Sequence, residues 1–224
     1  MRVIPWRLLD SAPTPDGDDS LHLYQRGNEY CIRIGWREVM NSRRHASEDA
    51  LAELACQRMV QRAAPRVLIG GLGMVFTLVA AARRLPAGAQ LVVAELVGPV
   101  VKWNQGPLGE VAGRPLDDPR VEVREADVAV LLRSAGEFDA VLLDVDNSPD
   151  SLIQRRNAWL YTKEGLAATR DALRPGGVLS VWSAGSDASF TRRLRRVGFD
   201  VGVHTMRAHA GKGARHTVWV AARV

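Results

Sequence analysis

From Arg66 onward, short apolar runs alternate with segments of helical pattern, and this alternation restricts the chain to few folds. The apolar runs are VLIGG (67–71), LVVAEL (91–96), FDAVLLDVD (138–146) and VLSVWSA (178–184), and VEVREAD (121–127) is a strand-like segment in which apolar and polar residues alternate. Strands separated by helices predict a parallel sheet with helices on both faces. The last two runs, 200–208 and 216–224, have no helix between them and predict a terminal antiparallel hairpin. We therefore expect an α/β fold with a mostly parallel seven-stranded sheet.

The residues before this region have a different pattern. LHLYQ (21–25) and EYCIRIG (29–35) flank Gly27-Asn28 and predict a hairpin, with WREVMNS (36–42) as a third strand. Residues 11–20 are rich in Pro, Asp and Ser and predict a loop. Ser47 has the character of a helix N-cap, and Pro65 ends the helix it opens. The sequence thus predicts a small N-terminal β segment over residues 1–46 and an α/β domain with a parallel sheet over 47–224.

Composition limits the class of protein and its partners. The 224 residues are 46% hydrophobic and 25% charged, which is typical of a soluble globular protein. The net charge of +5 does not require an anionic partner, so nucleic acid is disfavoured, and the arginines at 192–196 are interpreted as a solvated helix face. No run reaches the roughly 18 apolar residues of a membrane span. Two cysteines, Cys31 and Cys56, favour a reducing cytoplasm, although one bridge between them stays possible.

Candidate binding residues follow the predicted strands, where open parallel sheets bind their ligands. Gly70, Gly71 and Gly73 come after the first strand, where they allow a sharp turn or the close approach of a ligand. Glu95 follows the second strand, at the spacing of a carboxylate that accepts both hydroxyls of a ribose. Asp127 follows the third strand and has two interpretations, the cap of the next helix and an acceptor for an adenine amine.

An unusually acidic stretch follows the fourth strand, with Asp144, Asp146 and Asn147 in close succession. Acids at the tip of a buried strand repel one another unless a cation lies among them. An amine, a sulfonium or Mg²⁺ would meet that need, and a solvated turn is the alternative. Tyr161 follows this stretch and is a candidate wall of the pocket. The five histidines are scattered and form no compact ligand set, so we expect no resident metal.

These residues, taken together, resemble a known family. The order of glycine loop, Glu95, Asp127, Asp144 and LRPGGVL (173–179) resembles the Rossmann-like methyltransferase fold. Within that fold, RGNEYCIRIG (26–35), the helix after Ser47 and FDAVLLDVDNSP resemble the spermidine synthase (polyamine aminopropyltransferase) group. The resemblance covers about residues 21–224.

The resemblance implies a role for each candidate residue. Asp144 would be the general base that acts on an attacking amine, and decarboxylated S-adenosylmethionine would donate an aminopropyl group. Asp146, Asn147 and Tyr161 would contact the small-molecule amine substrate, and the chain would form a homodimer. The donor nucleoside would lie against Gly70, Gly71, Gly73, Glu95, Leu96, Asp127 and Val128.

Three positions depart from the family pattern. Gly73 stands where the family has the Asp that grips the aminopropyl ammonium. Ser47-Glu48 replaces a Tyr-Gln pair, and Asn147 replaces a second Asp. Two alternatives therefore stay open. One is a methyltransferase that uses intact S-adenosylmethionine on a small molecule, and the other is a nucleoside-binding homologue without catalysis.

Overall fold

In the computed structural model the chain forms two separate sheets. The structure describes residues 4–14, 17, 19–43, 45–145, 155–209 and 212–224, with backbone alone at 155–156, 208–209 and 212–214. Asp146 and Asn147 lie outside these ranges.

The N-terminal sheet is an antiparallel meander of four strands in sequential order. Its strands are β1 (Arg7–Pro13), β2 (Ser20–Arg26), β3 (Glu29–Ile34) and β4 (Arg37–Asn41). The predicted hairpin joins β2 to β3, and Gly27 adopts a φ of 61° in its turn. The prediction of a loop from residue 11 was wrong, because 11–13 belong to β1. Pro13 is tolerated there because β1 is an edge strand and ends at that residue.

The larger sheet has seven strands in the order β10-β11-β9-β8-β5-β6-β7. β11 runs antiparallel to both of its neighbours, and the other pairs are parallel, which confirms the predicted sheet and its terminal hairpin. The chain passes from β5 to β6 and β7, and then returns to β8 on the other side of β5. The carboxyl ends of β5 and β8 therefore form the switch point at which such sheets bind ligands. The strands are β5 (Arg66–Gly70), β6 (Gln90–Glu95), β7 (Val121–Glu125), β8 (Phe138–Leu143), β9 (Leu173–Ser183), β10 (Phe199–His209) and β11 (Lys212–Arg223).

Helices cover both faces of this sheet. One face packs on α1 and α2 through residues such as Leu51 and Leu78, and the other packs on α4, α5 and α6 through Leu131, Leu166 and Phe190. Adjacent residues of each strand supply the two faces in turn, as the pleat requires. The helices are α1 (Ala46–Cys56), α2 (Phe76–Arg84), α3 (Gly98–Gln105), α4 (Val128–Leu131), α5 (Lys163–Ala172) and α6 (Ala188–Val197).

Helix α1 differs from the prediction at both ends. Its N-cap is His45, and Ser47 lies inside the first turn, where its hydroxyl bonds side chains instead of a backbone N–H. The helix ends at Cys56 and tightens into a 3₁₀ turn over Gln57–Met59, well before Pro65. Cys31 and Cys56 are buried free thiols, so the alternative of a bridge between them was wrong. Burial raises the pKa of the Cys56 thiol to about 12.

A third apolar cluster joins the small sheet to the large one. It contains Leu21, Leu23 and Ile32 from the small sheet, and Met74, Val100 and Trp103 from the glycine loop and α3. The Trp103 indole N–H also donates to an Asp10 carboxylate oxygen of β1, at 2.7 Å. These contacts hold the small sheet over the carboxyl ends of β5 and β6. Among the described residues, no helix combines the length and the apolar character needed to cross a membrane.

Candidate active site

A cavity of about 800 Å³, open to solvent, lies between the small sheet and the carboxyl ends of β5, β6 and β8. The walls come from both sheets, so the site needs the N-terminal segment. The residues that line it are Leu21, Ile32, Ile34, Val39, Met40, Gly71, Gly73, Ala94, Glu95, Leu96, Val97, Val100, Ala126, Asp127, Val128, Asp144, Val145 and Asn157.

The glycine loop after β5 forms the floor of this cavity. A Cβ at Gly71 would lie 2.5 Å from the carbonyl oxygen of Asp144, so only glycine lets the tips of β5 and β8 approach this closely. A Cβ at Gly73 would lie 2.5 Å from the Met40 methyl carbon, so β4 fills the space that a side chain at 73 would take. Gly70 lies behind the cavity, against Val128 and Leu143, and does not line it.

The loop is held in a strained conformation at its junction with α2. Val75, the N-cap of α2, has a φ of 62°, a left-handed value that β-branched residues rarely adopt. From α3, the Asn104 amide donates to the carbonyl oxygen of Gly73 at 2.8 Å. Backbone strain of this kind concentrates at ligand sites, because the surrounding packing must maintain it.

Glu95 connects the loops that follow β5 and β6. One carboxylate oxygen accepts from the backbone N–H of Leu72 at 2.9 Å, and the other accepts from that of Val97 at 2.8 Å. Burial raises the pKa of Glu95, and the backbone N–H donors oppose that rise. The backbone N–H groups of Gly73 and Leu96 also lower its pKa, so a ligand hydroxyl would share the carboxylate oxygens with backbone donors. Leu96 lines the cavity beside it.

Asp127 caps helix α4 and lines the cavity as well. One oxygen of its carboxylate accepts from the backbone N–H of Ala129 at 2.8 Å, which confirms the capping interpretation. The residue and its neighbour Val128 also form the cavity wall beyond β7.

Asp144 follows β8 directly, and its carboxylate is enclosed beside the glycine loop. The Thr77 hydroxyl of α2 donates to one of its oxygens at 2.6 Å. Burial raises the pKa of Asp144 to about 6, and the Thr77 hydrogen bond opposes that rise. Helix α1 brings a second carboxyl near it. Burial and the Asp144 charge raise the pKa of Glu48 to about 7.

The cavity is acidic. Three carboxyl side chains line it, those of Glu95, Asp127 and Asp144, and its described wall contains no Lys, Arg or His. An unbalanced set of carboxylates favours a positively charged ligand and disfavours a phosphate. In the described part of the chain, no group of three or more His, Cys, Asp or Glu is arranged to hold a metal ion.

The structure thus brings Gly71, Gly73, Glu95, Leu96, Asp127, Val128 and Asp144 to one cavity. Tyr161 is not part of the described wall: its ring packs edge-on against Phe190 at 5.6 Å in the core. Sequence reasoning missed Thr77, Glu48, Met40 and Asn104. The departure at 47–48, where Ser-Glu replaces the Tyr-Gln pair of the family, was a sequence signal that could have identified Glu48. The other three residues reach the site through packing between distant parts of the chain.

Comparisons with known proteins agree with this description. No family model matches the chain. It is 32% identical to a polyamine aminopropyltransferase of Nitrosomonas europaea over 99 residues, which are 44% of this chain and only 29% of that relative. A spermidine synthase from Thermotoga maritima superimposes with a TM-score of 0.76 at 19% identity, over 97% of this chain and 73% of that one.

Two further solved structures are similar. A spermidine synthase in complex with the transition-state analogue AdoDATO gives a TM-score of 0.74 at 19% identity, over 97% of this chain and 73% of that one. A probable spermidine synthase from Corynebacterium glutamicum gives 0.67 at 14% identity, over 96% and 79%. Over nearly its whole length, therefore, the chain has the α/β Rossmann-like fold of the spermidine synthases.

Proposed function

We propose that the chain is a transferase that moves an aminopropyl group from decarboxylated S-adenosylmethionine to a small amine, with Asp144 as general base. The observation that carries the proposal is the cavity with three carboxyl side chains and no described cationic one. A sulfonium donor and an ammonium acceptor are both cations, and such a wall attracts both.

We infer the orientation of the donor nucleoside from the polar side chains of the cavity. Glu95, the last residue of β6, would accept from the ribose hydroxyls, and Asp127, beyond β7, would accept from the adenine amine. Gly71 and Gly73, which line the cavity, would pass beneath the nucleoside, and Gly70 would lie behind them. The solved neighbour in complex with AdoDATO supports a ligand of this kind on this fold.

The reaction needs a positioned and deprotonated amine. The sulfonium supplies a good leaving group, so the chain must align the amine nitrogen about 3–3.5 Å from the carbon beside sulfur. A free amine is protonated at pH 7 and must lose a proton before it attacks. Asp144 would attract the ammonium and accept that proton. Asp146 and Asn147 remain candidate acceptor-binding residues, whereas Tyr161 packs in the core.

Methyl transfer from intact S-adenosylmethionine is the second candidate, and one contact favours it. Gly73 places no acid at the end of the glycine loop, and the Met40 methyl carbon fills that space. At that position, therefore, the protein has no carboxylate that could bind the ammonium group of the donor. For the same reason, nothing there repels the carboxylate group of intact S-adenosylmethionine. Met40 is flexible and can move aside for either tail.

Calorimetry with three ligands separates these functions. We expect decarboxylated S-adenosylmethionine to bind more tightly than S-adenosylmethionine, and methylthioadenosine to bind as well. Tighter binding of the carboxylated form would favour methyl transfer. Turnover with a panel of amines then tests catalysis, and binding without any turnover would favour the non-catalytic alternative.

Asp144→Asn tests the assigned base. We expect turnover to fall about 100-fold or more, because the amide cannot accept the proton. The affinity for methylthioadenosine should stay within about threefold, and calorimetry on the same preparation measures it. An unchanged turnover would remove Asp144 from the mechanism.

A homodimer and a cytoplasmic location remain predictions. The edge strand β1 exposes Leu8 on the small sheet, which supports a self-association surface there. Light scattering of the purified chain would measure its mass in solution.

A further inference from the structure

The start of helix α2 places a buried hydroxyl beside the acid at the tip of β8. Thr77 is 3% exposed, and its hydroxyl oxygen lies 2.6 Å from Oδ2 of Asp144. An ionised carboxylate only accepts hydrogen bonds, so the hydroxyl is the donor. The same hydroxyl oxygen lies 3.5 Å from the backbone carbonyl oxygen of Glu48. Because a hydroxyl has one proton, the shorter contact takes it, and Thr77 donates to Asp144.

The backbone of Asp144 is fixed, but its side chain needs a further contact to be oriented. The Asp144 N–H donates to the carbonyl oxygen of Gly70 at 2.9 Å, and Gly71 leaves no room for a Cβ against the Asp144 carbonyl oxygen. The terminal χ2 angle of an aspartate is otherwise broadly distributed. A short hydrogen bond to one ionised oxygen restricts that rotation. Among the described residues, Thr77 is the group that donates to this side chain.

The strained turn before α2 brings this hydroxyl to β8. Val75, with its left-handed φ of 62°, caps α2, and Thr77 is the second residue of the helix. Between them, Phe76 stacks on the His45 ring at the start of α1, with 4.2 Å between the ring centroids. His45 is in turn paired with Asp49 at 2.8 Å. Packing against α1 therefore holds the first turn of α2 in the position that Thr77 needs, and such packing can maintain a strained residue.

The charged groups near Asp144 do not replace this donor, because those in the described part of the chain are acids. Glu48 lies on α1 beside Thr77, and Glu95 and Asp127 line the same cavity as Asp144. Burial raises the pKa of Asp144, and the Thr77 hydrogen bond opposes that rise. Thr77 thus stabilises a negative charge that its surroundings disfavour.

We propose that Thr77 is a positioning residue for Asp144: its hydroxyl holds Oδ2, so that Oδ1 takes the proton from the acceptor amine. This inference rests on the role proposed for Asp144. In that step the amine nitrogen forms a bond to the carbon beside sulfur, and the electron pair of the broken C–S bond stays on sulfur. One N–H proton passes to Oδ1, and the Thr77 proton stays on Thr77.

Carboxyl ¹³C NMR tests the inference without a substrate. In a chain whose aspartates carry ¹³C at the carboxyl carbon, the loss of one signal in Asp144→Asn assigns Asp144. Thr77→Val keeps the shape of the side chain and removes the hydroxyl. We expect it to raise the midpoint of the Asp144 titration by about one pH unit or more, because a hydrogen bond to the charged form is lost. Thr77→Ser restores the donor and should return the midpoint to within about 0.3 pH unit of the wild type.

Thr169 offers a matched control. It is fully buried in α5, and its hydroxyl donates to the carbonyl oxygen of Gly165 at 2.9 Å, away from the cavity. Thr169→Val removes an equally buried hydroxyl and should leave the Asp144 curve unchanged. A Thr77→Val curve that matches the wild type, or a Thr77→Ser curve that matches Thr77→Val, would overturn the proposal. Thr77→Ala removes the same hydroxyl and serves if Thr77→Val does not fold.

Turnover measures the positioning itself. We expect Thr77→Val to lower kcat about tenfold and Thr77→Ser to recover most of it, because a misplaced base transfers the proton less often. The KM for the donor should stay within about threefold, since Thr77 is not part of the described cavity wall. An unchanged kcat beside a shifted midpoint would refute the positioning role. A wild type without turnover would refute the proposed function, and the titration would still decide whether Thr77 holds Asp144.

Discussion

At the scale of single residues, the carboxylates of the cavity also hold the backbone that surrounds them. Glu95 accepts from the N–H groups of Leu72 and Val97, and Asp127 accepts from that of Ala129. Each side chain thus fixes a loop and presents a negative charge to the same cavity. Sequence position identified both residues, because they directly follow strands of a parallel sheet.

Glu95→Gln should separate these two roles. Glutamine has one side-chain oxygen, so one of the two backbone N–H groups loses its acceptor. We expect the free energy of unfolding to fall by about 1–3 kcal/mol, as for a buried donor left unpaired, and the affinity for methylthioadenosine to fall about tenfold or more. Urea denaturation and calorimetry measure the two effects. Glu122→Gln, on an exposed pair with Arg124, should change neither by a comparable amount, and equal effects of the two substitutions would contradict this account.

The two cavity glycines should differ in their tolerance of alanine. At Gly71 the new Cβ would meet the backbone oxygen of Asp144, which cannot move without displacing β8. At Gly73 it would meet the flexible end of Met40. Both positions have positive φ, so each alanine adds about 1 kcal/mol of strain. Urea denaturation should show the larger loss for Gly71→Ala, at about 2 kcal/mol or more, and the reverse order would refute this interpretation.

At the scale of elements, the alternation of strands and helices was predictable because the central strands β5, β6 and β8 consist mainly of apolar residues. The strand β1 was missed because its residues 10–13, DSAP, are typical of loops and the strand is only an edge. Ser47 was assigned as a cap on its residue type alone. The structure gives it partners on Glu48 and on β11, which no local pattern encodes.

Asp139, near the amino end of β8, offers a test of which interactions stabilise this strand. Asp139 is buried, and its carboxylate accepts from Arg62, Arg174 and the backbone N–H of Arg66. We expect Asp139→Asn to lower the free energy of unfolding by about 2 kcal/mol or more, because neutral asparagine leaves the arginines without a counter-charge. Thermal and urea denaturation check this. Asp117→Asn, on the exposed Arg114 pair, should cost less than about 1 kcal/mol, and a similar cost for both would contradict the assigned role.

At the scale of the whole molecule, the cavity exists because the small sheet packs over the large one. The sequence indicated both sheets, but not the contacts of Leu21, Ile32 and Met40 with the glycine loop, since these join residues distant along the chain. The walls of the cavity, unlike the two sheets, could therefore be identified only in the three-dimensional structure.

The acidic pair should also make stability depend on pH. The folded chain raises the pKa of Glu48 to about 7 from the 4.5 of an exposed carboxyl, so it binds this proton more tightly than the unfolded chain does. The contribution of Glu48 to stability therefore falls as pH rises from about 4.5 to 7 and stays low above that. Glu48→Gln should raise the free energy of unfolding at pH 8 by about 1 kcal/mol or more and change it little at pH 5.

Urea denaturation at the two pH values measures this difference. Glu53→Gln, at the exposed pair with Arg84, serves as the control and should show no such dependence. An equal effect of Glu48→Gln at pH 5 and pH 8 would contradict the assigned burial of the pair.

A crystal structure of the chain with methylthioadenosine tests the central claim most directly. The account predicts the ribose hydroxyls within hydrogen-bond distance of Glu95, the adenine amine near Asp127 and the sulfur on the side of Asp144. A nucleoside bound elsewhere, or a cavity without ligand density at saturating concentration, would contradict it.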